Sequence, residues 1–294
     1  MGLPAMDAAD RAAMAELAPR EFAFTRREFD RIAARLHDVA GIDMPPSKES
    51  LVYSRLAKRI RTLGLPSFAA YLDRLDDPGH NEIEHMLVAL TTNVTRFYRE
   101  PHHFDDLSQR LMPGLAARAR AGGRVRMWSA GCSSGQEPYS IALAVLEAMP
   151  DAATRDLRIL ATDISMKVVE QAREGRYPRE AVSSVRPALR EMYFESDGDD
   201  HVVATEPLRR LVAFRRLNLM EDWPFKGKFD AIFCRNVAIY FGDAVQSRLW
   251  ARLSERLLPG GRLYIGHSER ITGPAAAMLR TDGVTVYARD RGGA

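Results

Sequence analysis

RVRMWSAGCSSGQEPYS, residues 124–140, runs from a β-type segment through a turn bracketed by Gly131 and Gly135 into a helix that continues to about 149. Downstream, RILAT (158–162) leads into a helix over about 165–174, and LVAFRRL (211–217) and FDAIFCR (229–235) are further β-type runs. A helix over about 243–258 precedes RLYIG (262–266), and a last pair of strands near 278–280 and 284–288 flanks Asp282-Gly283, a hairpin dipeptide. Strands alternating with helices imply an α/β fold: a mostly parallel sheet covered on both faces, closed by an antiparallel edge hairpin. Between about 175 and 209 the alternation breaks in a stretch rich in Arg, Glu and Asp. It reads as an inserted subdomain, because structureless loops above about 15 residues are uncommon in compact domains.

Upstream the character differs. Residues 1–20 read as a mobile arm and 21–92 as a helical domain without a convincing strand. Phe29, Ile32, Ala33, Leu36 and Val39 recur at helix spacing before a stop at Gly41. A second helix follows Pro45-Pro46 and ends at Gly64, and shorter ones cover about 68–75 and 81–90. Residues 93–123 read as a linker and one long helix, broken near Pro113-Gly114, and 124–290 as the α/β domain.

With 294 residues, 46% hydrophobic and 28% charged, the chain can bury a sizeable core without disulfides or metal. A net charge of +3 is too small to mark a nucleic-acid binder. Cys132 and Cys234, far apart, indicate a reduced cytoplasmic setting, and no Cys/His spacing suits zinc. No signal core is present, and no apolar run approaches the roughly 20 residues that cross a bilayer, so membrane insertion is not expected.

Ligands of open α/β sheets sit beyond the carboxyl ends of the strands. There the spacing around Gly131 and Gly135 is G-x-x-x-G, not the dinucleotide fingerprint, and Glu137 would repel a pyrophosphate at the helix N-terminus. An amino-acid-bearing nucleoside fits better, since a carboxylate accepts hydrogen bonds from its ammonium group; a plain tight turn would also explain the glycines. Asp163 ends RILATD, where it can hold ribose hydroxyls or simply cap the next helix. Arg235, Asn236 and Tyr240 crowd the end of the fourth strand in FCRNVAIYF (233–241), more polar groups than a turn requires. Asn218-Leu219 closes the third strand near the same crevice. In TTNVTRFYRE (91–100), Asn93, Thr95 and Arg99 alternate and would share one face of an extended segment. Arg99 could then grip a carboxylate in two-pronged fashion, although an ordinary linker would look similar.

Together these segments resemble the CheR family of chemoreceptor glutamate methyltransferases, over about 24–289. The likeness rests on N-x-T-x-F-x-R (93–99), AGCSSGQEPYS (130–140), Asp163, Asn218-Leu219 and CRNVAIYF (234–241), in that order. It implies a class I methyltransferase core that uses S-adenosylmethionine, releases S-adenosylhomocysteine and needs no metal. Asn93, Thr95, Arg99 and Glu137 would bind the methionine end and Asp163 the ribose, with Gly131 also in the cofactor site. Asn218, Leu219, Asn236 and Val237 would surround the adenine and sulfur. Arg99, Arg235 and Tyr240 would form the catalytic set. Ala238 departs from the Leu or Met expected in this motif, which enlarges a pocket without removing a contact group.

The second helix carries Arg55, Lys58, Arg59 and Arg61 with no acid between Glu49 and Asp73. Such a run is often a solvated face; in this family it resembles the surface that docks on the cytoplasmic helices of methyl-accepting receptors. The insertion resembles the family's small β-subdomain, which in some members holds a receptor C-terminal peptide; its long acidic loop ESDGDDHVVATEP (195–207) leaves that use open here, with the balance leaning against it. Two other readings compete: a methyltransferase of the same core with another acceptor, and a cofactor-binding sensory module without catalysis. A monomer is the default expectation.

Overall fold

The computed structural model describes residues 20–77, 79–91 and 94–290. All but the last residue of the expected N-terminal arm, and the site residue Asn93, lie outside them. The chain divides into two compact units, Met1–Thr92 and Asn93–Ala294.

Among its described residues the first unit packs the α-helices α1 (Arg26–Ala40), α2 (Glu49–Thr62), α3 (Phe68–Asp76) and α4 (Glu82–Leu90). Thr25 starts α1 through a capping box with Glu28, and Phe29, Ile32 and Leu36 are buried along one stripe, as the helical spacing requires. The basic run on α2 does not form one outward face. Arg59 makes a two-pronged ion pair with Glu82 (2.8 and 2.8 Å), whose side chain is 2% exposed. Arg55 donates to the carbonyls of Ala89 and Leu90 at the end of α4, and Arg61 pairs with Glu21 on the surface. Lys58 is exposed. Residues at i and i+4 share a helix face, and at Arg55 and Arg59 that face turns toward α4, while Lys58 and Arg61 lie at the surface.

In the second unit α5 (His102–Asp106), a π-helical turn (Leu107–Leu111) and α6 (Met112–Arg120) run on from one another. The helix is not broken at Pro113-Gly114. Proline lacks an N–H and its ring crowds the carbonyl four residues back. The widened turn, in which the Met112 N–H reaches Leu107 O, relieves both conflicts one residue before the proline.

The sheet elements follow: β1 (Val125–Ala130), α7 (Gln136–Ala148), β2 (Leu157–Asp163) and α8 (Met166–Glu174). Then come β3 (Arg176–Pro178), α9 (Pro187–Tyr193), β4 (Phe194–Asp197), β5 (His201–Ala204), α10 (Glu206–Arg210) and β6 (Val212–Arg216). The chain closes with β7 (Phe229–Cys234), α11 (Asp243–Glu255), β8 (Leu257–Ile265), β9 (Leu279–Gly283) and β10 (Val286–Arg289). Seven strands form one sheet in the order β6-β2-β1-β7-β8-β10-β9, parallel except for β10. Strand order reverses between β1 and β7, so the loops after these two strands flank the switch-point crevice where ligands bind in such sheets. Every residue of β7 is buried, as expected of a central strand covered on both faces.

Two local expectations shift. Asp282-Gly283 ends β9 rather than forming the hairpin turn, which Val284 and Thr285 make, with Thr285 at φ 54°. The acidic segment 195–207 is not a long loop: most of it is the β4–β5 hairpin, paired Phe194↔Ala204 through Asp197↔His201. With β3 on the other side of β5, it forms a three-stranded antiparallel sheet.

Candidate active site

The switch point is built first from backbone. The N–H groups of Gly131 and Cys132 both donate to Thr162 O at 2.8 Å, locking the loop after β1 to the end of β2. Gly131 has φ 87°, and a Cβ there would overlap a methyl of Val237 in the loop after β7, so the two loops touch through a glycine. Asp163 at the β2 tip accepts from the Ser133 N–H (2.8 Å) and the Ser165 N–H (3.1 Å). It therefore ties the β1 loop to the start of α8 and, since a carboxylate has about four acceptor sites, keeps capacity for hydroxyl donors. Burial raises its pKa, partly offset by the Ser165 and Ser133 amides.

Around the strand ends lies a charged cluster. Arg235, whose side chain is 2% exposed, donates to Glu137 Oε2 (3.2 Å), stands 3.3 Å from Glu100 Oε2 and binds the Arg99 carbonyl. Its guanidinium also lies over the Phe104 ring. Glu137 Oε1 accepts from Ser129 Oγ (2.7 Å), and Glu100 Oε1 meets His267 Nδ1 (3.1 Å). Burial acts to raise the Glu100 pKa, but Arg235 and His267 bring it down to about 2, so this acid is ionised. Glu137 goes the other way: burial and the charges of Glu100 and Glu269 outweigh Arg235 and Ser129 and raise its pKa. The buried His103 beside Glu100 is held neutral, its pKa pushed down to about 3 by burial and by Arg235.

The segment carrying Thr95 and Arg99 is not extended throughout. Tyr98 and Glu100 have φ 52° and 56°, the chain turns over 97–100, and Arg99 Nη1 donates to its own Val94 O at 2.9 Å. The segment is anchored by its apolar residue: Phe97 is buried edge-on against Tyr177 of β3 and Phe194 of β4. The Tyr98 N–H donates to Ser140 Oγ on α7 (2.9 Å), and Tyr177 OH donates to Ser134 O in the glycine loop (2.8 Å). The inserted sheet thus buttresses two walls of the crevice.

The remaining expected residues are spread along the same edge. The Asn218 amide serves its own turn, accepting from the Met220 N–H and donating to Glu221, while Leu219 O accepts from Arg252, itself stacked on Trp223 at 4.1 Å. Asn236 sits in the left-handed region at φ 59°, and Tyr240 ends a single 3-10 turn, half-buried. Glu269, not anticipated from the sequence, collects the N–H groups of Asn236, Val237, Ala238 and Gly266. Glu100 was likewise missed. The available signals were the acid directly after Arg99 and the acid closing GHSE just past the last buried strand. Cys132 and Cys234 are both buried, unbridged thiols, raised well above the usual range chiefly by burial.

The crevice thus holds Glu100 and Glu137 around one buried guanidinium and Asp163 at the tip of β2, with Glu269 bracing the loop after β7. Acceptors such as Glu137 and Asp163 suit a ligand bringing positive charge and hydroxyl groups. S-adenosylmethionine carries an ammonium, a sulfonium and a ribose diol, so it fits on chemistry. A doubly wound sheet with this switch point is that of an S-adenosylmethionine-dependent methyltransferase.

Comparison with known sequences narrows the class. Residues 93–287 match the family model described as CheR methyltransferase, SAM binding domain, and 27–91 match the CheR methyltransferase all-alpha domain. The chain belongs to the CheR methyltransferase family. It is similar to a probable chemotaxis protein methyltransferase of Rhizobium etli, 49% identical over 86% of this chain and 96% of that protein. It is also similar to chemotaxis protein methyltransferase 2 of Pseudomonas aeruginosa (42% identity; 91% and 95% covered) and to the chemotaxis protein methyltransferase of Escherichia coli (38%; 90% and 92%). Among the described residues no helix is long and apolar enough to cross a membrane, and no group of acids, histidines and cysteines is arranged to hold a metal ion.

Proposed function

We propose that this methyltransferase acts in the cytoplasm, as a single chain, on glutamate γ-carboxylates in the helices of methyl-accepting chemoreceptors. The products are glutamate methyl esters and S-adenosylhomocysteine. The observation that carries the reading is the acid-rich cluster around Arg235 at the β1/β7 switch point, in a chain whose relatives are named chemotaxis protein methyltransferases.

The cofactor supplies an electrophilic methyl group on a sulfonium. The acceptor carboxylate, with an ordinary pKa near 4.3, is ionised at neutral pH, so the chain need provide no general base. Its own residues bind and orient. Glu137 accepts from the ammonium and Asp163 from the ribose hydroxyls. Thr95 and Arg99 bind the methionine end, the role the family motif also gives Asn93, with Gly131 allowing close approach. Asn218, Leu219, Asn236 and Val237 form the wall toward adenine and sulfur. Arg235 is a positioning residue: it is enclosed between Glu137, Glu100 and the Arg99 carbonyl and fixes the Arg99 backbone. Arg99 and Tyr240 orient the acceptor carboxylate, and excluding water from such a site is where most of the rate gain arises. Of the basic set on α2, exposed Lys58 and surface-paired Arg61 are the candidates for meeting an acidic receptor helix. Arg55 and Arg59 support that face from within.

The test is transfer of labelled methyl from S-adenosylmethionine to membranes bearing chemoreceptors, followed by base. Receptor-bound label released as methanol is the expected result. Label that resists base, or appears on another acceptor only, overturns the glutamate ester assignment.

A further inference from the structure

Glu269 lies just beyond β8, in GHSE, and is 4% exposed. Its Oε1 accepts from the N–H groups of Val237 (2.9 Å) and Ala238 (2.7 Å), and its Oε2 from those of Asn236 (3.0 Å) and Gly266 (2.6 Å). Three consecutive amides of the loop after β7 therefore converge on one carboxylate. Such an arrangement fixes the loop backbone without help from a ligand, and a carboxylate is the side chain able to serve four donors at once. It also explains how Asn236 stays at φ 59°, a conformation that needs outside support in a residue other than glycine. A Cβ on Gly266 would collide with the Asn236 side chain and amide, so the end of β8 is cut back to let the loop in. On its other side the loop presses Val237 against Gly131.

We infer that Glu269 is a positioning residue for methyl transfer: by gathering the amides of Asn236, Val237 and Ala238 it sets, before any ligand arrives, the loop wall of the cofactor crevice against Gly131. This rests on the reading above, in which Asn236 and Val237 contact the cofactor. Tyr240 follows two residues after the last of these amides, with its N–H on Val237 O (3.3 Å), so the same carboxylate also fixes where the acceptor-orienting turn begins.

Glu269→Gln keeps the shape but replaces one oxygen with an N–H2 group facing N–H donors. Glu269→Asp keeps the charge and shortens the reach. The expected result for Glu269→Gln is a cofactor KM raised roughly tenfold or more, the scale of one charge-assisted hydrogen bond lost. Its kcat should fall by a smaller factor, and Glu269→Asp should recover part of the KM. Equal KM in Glu269→Gln and wild type, with only thermal stability lowered, would show a merely structural role and overturn the inference. Should Glu269→Gln fail to fold, amide hydrogen exchange on the cofactor-free wild type decides the matter. Protection of the 236–238 amides without cofactor supports a preset wall, and protection only after S-adenosylhomocysteine is added overturns it. Wild-type binding of S-adenosylhomocysteine is the control: its absence would count against the methyltransferase reading itself, whereas its presence with an unaltered Glu269→Gln counts only against Glu269.

Discussion

Glu137→Gln removes one negative charge from the crevice while leaving the side chain's shape and its place in the first turn of α7. Arg235 keeps its contact with Glu100 at 3.3 Å, and the amide oxygen can still accept one bond, so no buried cation is stranded. What is lost is the ionised acceptor for a ligand ammonium. A hydrogen bond to a charged group contributes about 1.5–3 kcal/mol. At about 1.36 kcal/mol per factor of ten, S-adenosylhomocysteine should bind roughly 10- to 150-fold more weakly. Calorimetry with two ligands separates this from general damage. Adenosine shares the ribose and adenine of S-adenosylhomocysteine but lacks its amino-acid end, so its affinity for Glu137→Gln should match wild type. Asp163→Asn is the converse control and should weaken both ligands. If Glu137→Gln weakens adenosine as much as S-adenosylhomocysteine, or weakens neither, the assignment of Glu137 to the ammonium is wrong.

The pH dependence of the same binding has a definite sign. Glu137 and Asp163 are raised by burial in the free protein, and an ammonium or hydroxyl partner favours the ionised form. Binding should therefore release protons, and affinity should increase as pH rises above the ordinary carboxylate value of about 4.3; calorimetry in buffers of different ionisation enthalpy measures this, and affinity falling with pH would contradict it. Gly131→Ala places a side chain at φ 87°, about 1–2 kcal/mol of backbone strain, and drives it into Val237, so the variant should lose S-adenosylhomocysteine binding in the same assay. In the helical unit, Arg59→Ala leaves Glu82 buried without its two-pronged partner, with Arg74 at 3.9 Å the nearest remaining guanidinium. Breaking a buried pair this way costs about 3 kcal/mol, visible by calorimetry as a lowered unfolding temperature, whereas Lys58→Ala should leave that temperature unchanged and slow receptor methylation most at low salt.

The sequence by itself determined the architecture. Alternating β and α periodicity from Val125 onward requires a parallel sheet covered on both faces, and glycine placement together with Asp163 marks the strand ends that face a ligand. Family motifs add the identity of the cofactor. Tertiary structure decided the rest because it depends on pairings distant in sequence. Arg235 is 98 residues from Glu137, yet the fold brings its guanidinium onto that carboxylate. Nothing in the basic run around Arg59 announces that α4 brings Glu82 beside it. The acid closing GHSE marks Glu269 as a residue but not its role, because its partners are backbone amides, which every residue but proline possesses and no sequence pattern reports. Side-chain periodicity records which face of an element is buried. It is silent on which charges and amides meet there, since that is fixed only when strands β1, β7 and β8 lie side by side.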